Sequence, residues 1–488
     1  MWRTPDDLCP TATSIEQRHT EEAISELFAP YVGEDALPLP PLQRDDHVAY
    51  LHKLLAPLPA PYVTFDANRA WLVYWIAHSL DLLGAPLEGT LRARAISTLL
   101  HFQHSAGGFG GGPGQIGHLM STYAAVSALA IVGGPGPMPD EADVAEGRSI
   151  DVGCGGWDAI DRCVLALDVT HISTRLYAWL LRLKQPDGSF LVHEQGEIDV
   201  RATYCAVAVA SMLGLATPEL LRDTGAFVAS CQTYEGGFAA LSSPSYSLCG
   251  ADVRPAAPIE TQAPQGEAHG GYSYCALAAH AQLALLGPYA GPVRAAPLLR
   301  WATSLQGTAV EGGGMRGRTN KLVDGCYGWF CGGGLMTLLE GVLVPPSAPS
   351  NASDSWTSLS DASDDLFDRA ALRAYILVAA QVPRGGLRDK PGKRPDAYHT
   401  CYNLSGLALC EHRLRPNAAA ADMHRAAYDA HVPAGRRSDL LRECYAQTLA
   451  WDGAVDGAAV AATHPILNVG LDHVRRMLAF TYGLDAAP

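Results

Sequence analysis

Two stretches far apart in the chain hold the residue types that do chemistry. Arg316 to Phe330, RGRTNKLVDGCYGWF, carries three cations and then Asp324 and Cys326, two residues apart. Asp389 to Tyr402, DKPGKRPDAYHTCY, carries Lys390, Lys393, two aspartates and His399. Asp324, Cys326 and His399 make a carboxylate, thiolate and imidazole set suited to zinc, and three protein ligands with a fourth position open are the mark of a catalytic zinc site. Arg318, Lys321, Lys390 and Lys393 flank these ligands. In a chain of net charge −15, such a local cluster beside helix N-termini is how a diphosphate would be held. The aromatic residues Trp71, Trp75, Tyr204, Trp329, Tyr398 and Tyr402 could wall an apolar ligand cavity. Taken singly, each residue has a plainer reading: a cysteine in core packing, a hydrogen-bonded core histidine, solvated lysines, core aromatics.

What must position them is a recurring unit: a glutamine, a short polar gap, a glycine-rich turn, then a small-residue helix opened by a tyrosine. The turns begin at residues 107, 187, 235, 311 and 384, and Gln103, Gln185, Gln232, Gln306 and Gln381 precede them. A unit of roughly 45 residues is typical of helical arrays. The chain is therefore expected to be all-α, a closed α/α toroid of helical hairpins, with no convincing strand pattern. The expected organisation is a partly ordered N-terminal arm over 1–44, one toroid domain over 45–480, and a C-terminal tail over 481–488. Exposed loops are expected near 133–156, 242–265 and 346–365. Aligning Tyr123, Tyr204, Tyr274, Tyr327 and Tyr402 as a common origin puts Arg201, Asp324 and His399 at equivalent places, three residues earlier. They should then open onto one mouth of the ring, with His269 close by.

Composition excludes some classes. An acidic chain is a poor general binder of nucleic acid or membrane surfaces. No stretch of about 18 apolar residues offers a membrane span, and MWRTPDDLCP lacks a secretory pattern. A non-secreted, cytoplasmic chain with its 12 cysteines reduced is expected, leaving the sequon at Asn351 unused. GLDAAP carries no lipidation box.

The strings NKLVDGCY, PGKRPDAYHTCYNLSGL, DVRATYCAVAVAS, EAHGGYSYCALAA and CQTYEGGFA resemble the β subunits of protein farnesyltransferases, and the resemblance runs from about Asp66 to Leu409. It implies an α/α toroid holding zinc through Asp324, Cys326 and His399. The implied reaction moves farnesyl from farnesyl diphosphate to the cysteine of a C-terminal CaaX motif, as a thioether, in an obligate heterodimer with a helical-repeat α subunit. By matching motifs, His269, Arg318, Lys321 and Tyr327 would bind the diphosphate and Asp389 would help hold magnesium. Trp71, Trp75 and Tyr398 would contact the peptide, Arg201 would act near its carboxylate through water, and Tyr204 would line the isoprenoid wall. Trp71 with Tyr402 would stop the chain length. That stop disfavours the neighbouring reading, a type I geranylgeranyltransferase β subunit. A terpene cyclase-like toroid needs a DxDD-type acid, which DASDDLFD does not match, and a non-catalytic scaffold would need no zinc. The insertions and the segment after Leu414 depart from the family and receive no assignment.

Overall fold

The structure, a computed structural model, describes residues 10–58, 60–135, 155–160, 175–243, 246–247, 254–255, 263–343 and 365–484. Its architecture follows from helices too apolar to face water. Of the 14 residues in Leu119–Val132 only Met120 is not buried, and Val200–Leu213 buries all but Arg201. A helix apolar on every face must be covered on every face. The inner helices are Arg69–Leu82, Leu119–Val132, Val200–Leu213, Gly270–Leu285, a composite run Gly328–Leu343 and Ala397–Glu411. Each packs on the next and the last packs back on the first, which closes the α/α toroid. Outer helices at Arg44–Leu54, Gly89–Leu100, Arg175–Leu183, Thr224–Ser230, Ala295–Thr303 and Arg369–Tyr375 precede them in turn. The five sequence units thus miss a sixth hairpin. Its connection, Ala60–Asn68, is a 3₁₀ run with no glycine signature.

The glutamine column joins each hairpin to the next. Gln232 donates to the carbonyl of Arg294 and accepts from its N–H (2.9 and 2.8 Å), and Gln306 does the same with Asp368 (2.8 and 2.8 Å). Gln103 reaches the carbonyl of Ala159. In the second unit the position belongs to Lys184, not Gln185: Lys184 makes the bridge to Phe190 that Gln103 makes to Phe109, and its ammonium reaches Thr224 Oγ1 at 2.5 Å. Gln381 completes the circle. It accepts from Gln43 N–H (2.7 Å) and donates to the Pro41 carbonyl (3.2 Å), tying the last hairpin to the start of the first.

One end of the ring is filled by residues 463–470. Tyr74 donates its hydroxyl proton to the carbonyl of Asn468, Tyr123 to Leu467, Tyr204 to Ile466, and Tyr274 to Ile466 and Pro465, at 2.6 to 3.0 Å. Four inner helices thus hold one strand of backbone, whose buried carbonyls would otherwise lack partners. The segment after Leu414 therefore completes the ring. Its last helix, Leu471–Tyr482, packs on Val200–Leu213 through Thr481 and Tyr482, and Leu484 beyond it is buried.

Residues 10–40 contain a helix, Ala12–Phe28, that lies on the ring with Ile24 fully buried. The described strands are three antiparallel pairs of two residues each. One, Leu241–Ser242 with Pro264–Gln265, closes the base of the second insertion. Most of the loops expected near 133–156, 242–265 and 346–365 lies outside the described residues, as do Asn351 and residues 485–488.

Candidate active site

At the open end, four inner helices begin on side-chain caps, whereas Asn68 ahead of Arg69–Leu82 makes none. His118 accepts from Met120 N–H, Asp199 from Arg201 and Ala202, His269 from Gly271, and Asp396 from His399. Asp324 Oδ1 caps the opening turn of the composite run through Cys326 N–H at 2.9 Å. Caps satisfy N–H groups that have no partner within the helix. They also correct the tyrosine register. Asp324 is the counterpart of Asp199, His269 and Asp396, while Arg201 lies two residues and His399 three residues past a cap. Tyr123, Tyr204 and Tyr274 each stand five residues past their caps and reach the floor, whereas Tyr327 and Tyr402 stand three and six past theirs and do not share that position. Arg201, Asp324 and His399 still open at one end of the ring, because their helices all start there.

The ligand atoms of Asp324, Cys326 and His399 lie within 4.8 Å of one another. His399 Nε2 is 3.4 Å from Asp324 Oδ1, and its Nδ1 is 2.7 Å from Asp396 Oδ2. Burial works against an imidazolium here, but the hydrogen bonds to Asp324 and Asp396 outweigh it and push His399 up to about 10. Burial, followed by the charge of Asp324, pushes the Cys326 thiol well up. Asp324, although burial opposes its charge, is held below the ordinary carboxylate range by His399. Without a metal the site is therefore a protonated thiol and an imidazolium between two carboxylates. Oxygen, sulfur and nitrogen donors this close, with the histidine's far nitrogen anchored to a carboxylate, fit zinc. Asp396 is the functional residue that the sequence reading passed over. Its signal was present: an aspartate three residues ahead of His399, where an N-cap belongs.

Beside this trio, Tyr327 hydroxyl and His269 Nε2 are 3.1 Å apart. His269 Nδ1 accepts from Gly271 N–H, which assigns the ring's single proton to Nε2. Burial, then the neighbouring Arg318, lower His269 to about 4, so it is a neutral donor and not a member of the cationic cluster. With that proton directed at the Tyr327 oxygen, Tyr327 is free to donate its own to an anion. Gly317 makes room for this ring, since a Cβ there would stand 2.0 Å from Tyr327 Cζ. Arg318 pairs with Glu267 at the rim, and Lys321 is exposed on the same turn. The other expected cations are engaged: both carboxylate oxygens of Asp389 lie 2.5 Å from Lys390 Nζ, Lys393 is 3.9 Å from Glu16, and Arg201 pairs with Asp199.

Inside the ring is a cavity of about 390 Å³ lined by Trp71, Trp75, Arg201, Tyr204, His269, Tyr327, Trp329, Tyr398 and Tyr402. Nine expected residues are thus gathered on one surface. Tyr123, Tyr274, Phe330 and Asn468, which no sequence argument singled out for it, share the wall. Trp71 stacks on Trp75 at 5.6 Å, Trp75 meets Tyr398 edge-on at 5.4 Å, and Phe330 lies 4.5 Å from Tyr402. Tyr398 joins cavity to metal trio, its ring 4.9 Å from that of His399. Trp329 and Phe330 sit in a π-helical segment, Gly328–Gly333, that starts two residues after Cys326. Such widened turns recur at functional sites.

Residues 42–469 match the family model described as the prenyltransferase alpha-alpha toroid domain, from the segment that Gln381 clamps to the floor segment. The protein farnesyltransferase subunit beta of Schizosaccharomyces pombe is 38% identical over 363 residues, covering 74% of this chain and 76% of that one. The chain belongs to the protein farnesyltransferase β-subunit family. The Pisum sativum farnesyltransferase subunit beta is 34% identical over 480 residues, covering 89% of this chain and 94% of the relative. Among solved structures, Candida albicans protein geranylgeranyltransferase-I complexed with GGPP superposes with a TM-score of 0.56 at 15% identity, over 90% of this chain and 98% of that one, which supports the fold. As a farnesyltransferase-family β subunit, the chain is part of a protein-prenylating enzyme. No helix among the described residues is long and apolar enough to cross a membrane. Of the aspartates in DASDDLFD, Asp365 pairs with Arg369 and Arg413 and Asp368 caps the following helix, while Asp361 and Asp364 lie outside the described residues.

Proposed function

We propose that the chain is the catalytic β subunit of a zinc-dependent, cytoplasmic protein farnesyltransferase. It transfers farnesyl from farnesyl diphosphate to the cysteine of a C-terminal CaaX motif, as a thioether, in a heterodimer with an α subunit. One observation carries the reading: an N, O, S donor trio within 4.8 Å opens beside an aromatic cavity, with Tyr398 touching both. Asp324, Cys326 and His399 would hold the zinc. Zinc bound there supplies a Lewis acid that keeps a substrate thiol deprotonated at neutral pH. Asp396 holds the His399 ring by Nδ1 and leaves Nε2 for the metal. The aromatic wall takes up the isoprenoid and excludes water. Tyr327, oriented by His269, and Arg318 with Lys321 stabilise the charge that develops on the departing diphosphate, an electrostatic contribution worth about 3 kcal/mol per well-placed donor. Asp389, expected to hold magnesium, is already neutralised by Lys390. A magnesium ion would have to displace that ammonium, so no step is routed through it.

The bulky group Trp71, Trp75, Phe330 and Tyr402 supports farnesyl over the longer geranylgeranyl chain. The test is zinc stoichiometry of the heterodimer together with competition between the two diphosphates for one CaaX peptide. One zinc per β chain and preference for farnesyl are expected. Preference for geranylgeranyl overturns the chain-length assignment, and full turnover without zinc overturns the mechanism.

A further inference from the structure

The two halves of the metal site come from different hairpins, and something outside the ring holds those hairpins together. Glu311 lies at the turn of the fifth hairpin and is fully buried. Its carboxylate receives Thr308 N–H at 3.0 Å, the Arg316 guanidinium at 2.6 and 2.5 Å, and the Gln17 amide at 3.0 Å. Arg316 is in turn bridged to Val323, and Asp324 N–H donates to the Met315 carbonyl at 2.9 Å. The buried carboxylate thus anchors one side of a loop that carries Arg318 at its tip and the ligand Asp324 at its end.

Gln17 belongs to the helix Ala12–Phe28, which lies before the family-matched residues. Phe28 and Ile24 of this helix cover Gly312, where a Cβ would stand 2.8 Å from the Phe28 ring. The same helix packs on Ile376–Ala380 of the sixth hairpin, and its Glu16 lies 3.9 Å from Lys393, in the turn that leads to Asp396 and His399. One helix therefore touches both turns that supply the ligands. It also closes the Glu311 carboxylate off from water, which strengthens the hold on Arg316, because a buried charge-assisted bond is screened less than an exposed one.

The geometry points to the helix Ala12–Phe28 as a brace across the two ligand-bearing hairpins, with Glu311 and Gln17 as positioning residues for the metal and diphosphate sites. This rests on the zinc reading above. It assigns a part in the site to a segment outside the matched toroid, and to a carboxylate that touches neither metal nor substrate.

The test measures the zinc dissociation rate, by transfer to a chromophoric chelator, and the KM for farnesyl diphosphate in the full-length heterodimer. The variants are Glu311→Gln, Arg316→Met, the pair together, and Gln17→Ala. Loss of a group that holds a metal ligand in place typically costs about 10- to 100-fold in metal affinity. Glu311→Gln and Arg316→Met are each expected to speed zinc loss about 10-fold and to raise KM, while kcat at saturating zinc stays near wild type. The double variant should be no worse than either single one, and Gln17→Ala should show a smaller change of the same sign. Glu340→Gln is the control. Glu340 is buried and paired with Arg369 at 3.0 Å beside the carbonyl of Leu409, near the far end of the helix that carries His399. It should lower Tm without changing zinc loss. If Glu311→Gln lowers Tm but leaves zinc loss and KM at wild-type values, or if Glu340→Gln speeds zinc loss equally, the brace is refuted while the zinc reading stands. If wild type holds no zinc, the zinc reading falls and the brace falls with it.

Discussion

Zinc uptake by this chain should be strongly coupled to pH. In the metal-free site His399 is pushed up to about 10, and burial keeps Cys326 a thiol. Both ligands therefore carry protons at pH 7, and both must lose them to bind metal. Each displaced proton makes affinity tenfold more sensitive per pH unit, so zinc affinity should rise by about two log units per unit between pH 6.5 and 8.5. As added stability of the zinc-bound form this is about 2.7 kcal/mol per pH unit. The metal-free chain should move the other way. A histidine raised from 6.5 to about 10 contributes stability that is fully present below 6.5 and is lost as pH rises through about 10. The gap between zinc-bound and metal-free Tm must therefore widen with pH. The assays are chelator competition at several pH values and calorimetry in two buffers of different ionisation heat, which counts released protons. An affinity that changes by less than one log unit per pH unit, or release of fewer than one proton per zinc, refutes the proposed protonation of the trio.

Three further outcomes are expected. Glu267→Gln frees Arg318 from a half-exposed ion pair and removes a negative charge from the rim. Because exposed pairs are worth about 0.2–1 kcal/mol, farnesyl diphosphate should bind up to about fivefold tighter at low salt; weaker binding to a fluorescent analogue would show that Glu267 orients Arg318 instead of competing for it. Gly317→Ala drives a Cβ into the Tyr327 ring, and the displaced hydroxyl should lower kcat/KM by about 10- to 100-fold with little change in bound zinc. Gln381→Ala strips partners from Gln43 N–H, the Pro41 carbonyl and buried His47. Chemical denaturation should report about 3 kcal/mol of lost stability, and a loss below about 0.5 kcal/mol would mean that the ring does not depend on this closure.

What could be read from residues alone was what local rules encode. Asp324, Cys326 and His399 declare themselves by donor type and by their place in glycine-rich helix starts, and the Gln and Gly columns announce hairpins because sharp turns demand them. The tyrosine alignment failed in detail because tyrosines are not what defines each helix start. Wherever a side chain caps the start, the cap is, and a capping Asp or His differs in type from helix to helix. Lys184 escaped the glutamine column because an ammonium can clamp Thr224 as an amide clamps a backbone. The first hairpin, Arg44–Leu54 with Arg69–Leu82, escaped for want of a glycine turn.

Only the tertiary structure decided how these parts meet. The floor is made of the carbonyls of residues 465–468, and backbone carbonyls leave no mark in a sequence, so nothing showed that Tyr74, Tyr123, Tyr204 and Tyr274 converge on them. The bond from Gln17 to Glu311, which sets the helix Ala12–Phe28 over the Glu311–Arg316 pair, joins residues 294 positions apart along the chain. Its value comes from burial, which is a property of the packed ring and of no single segment. The donor trio was therefore legible in the chain itself, while its anchoring by Asp396, the neutrality of His269 and the aromatic cavity beside it exist only because the ring closes.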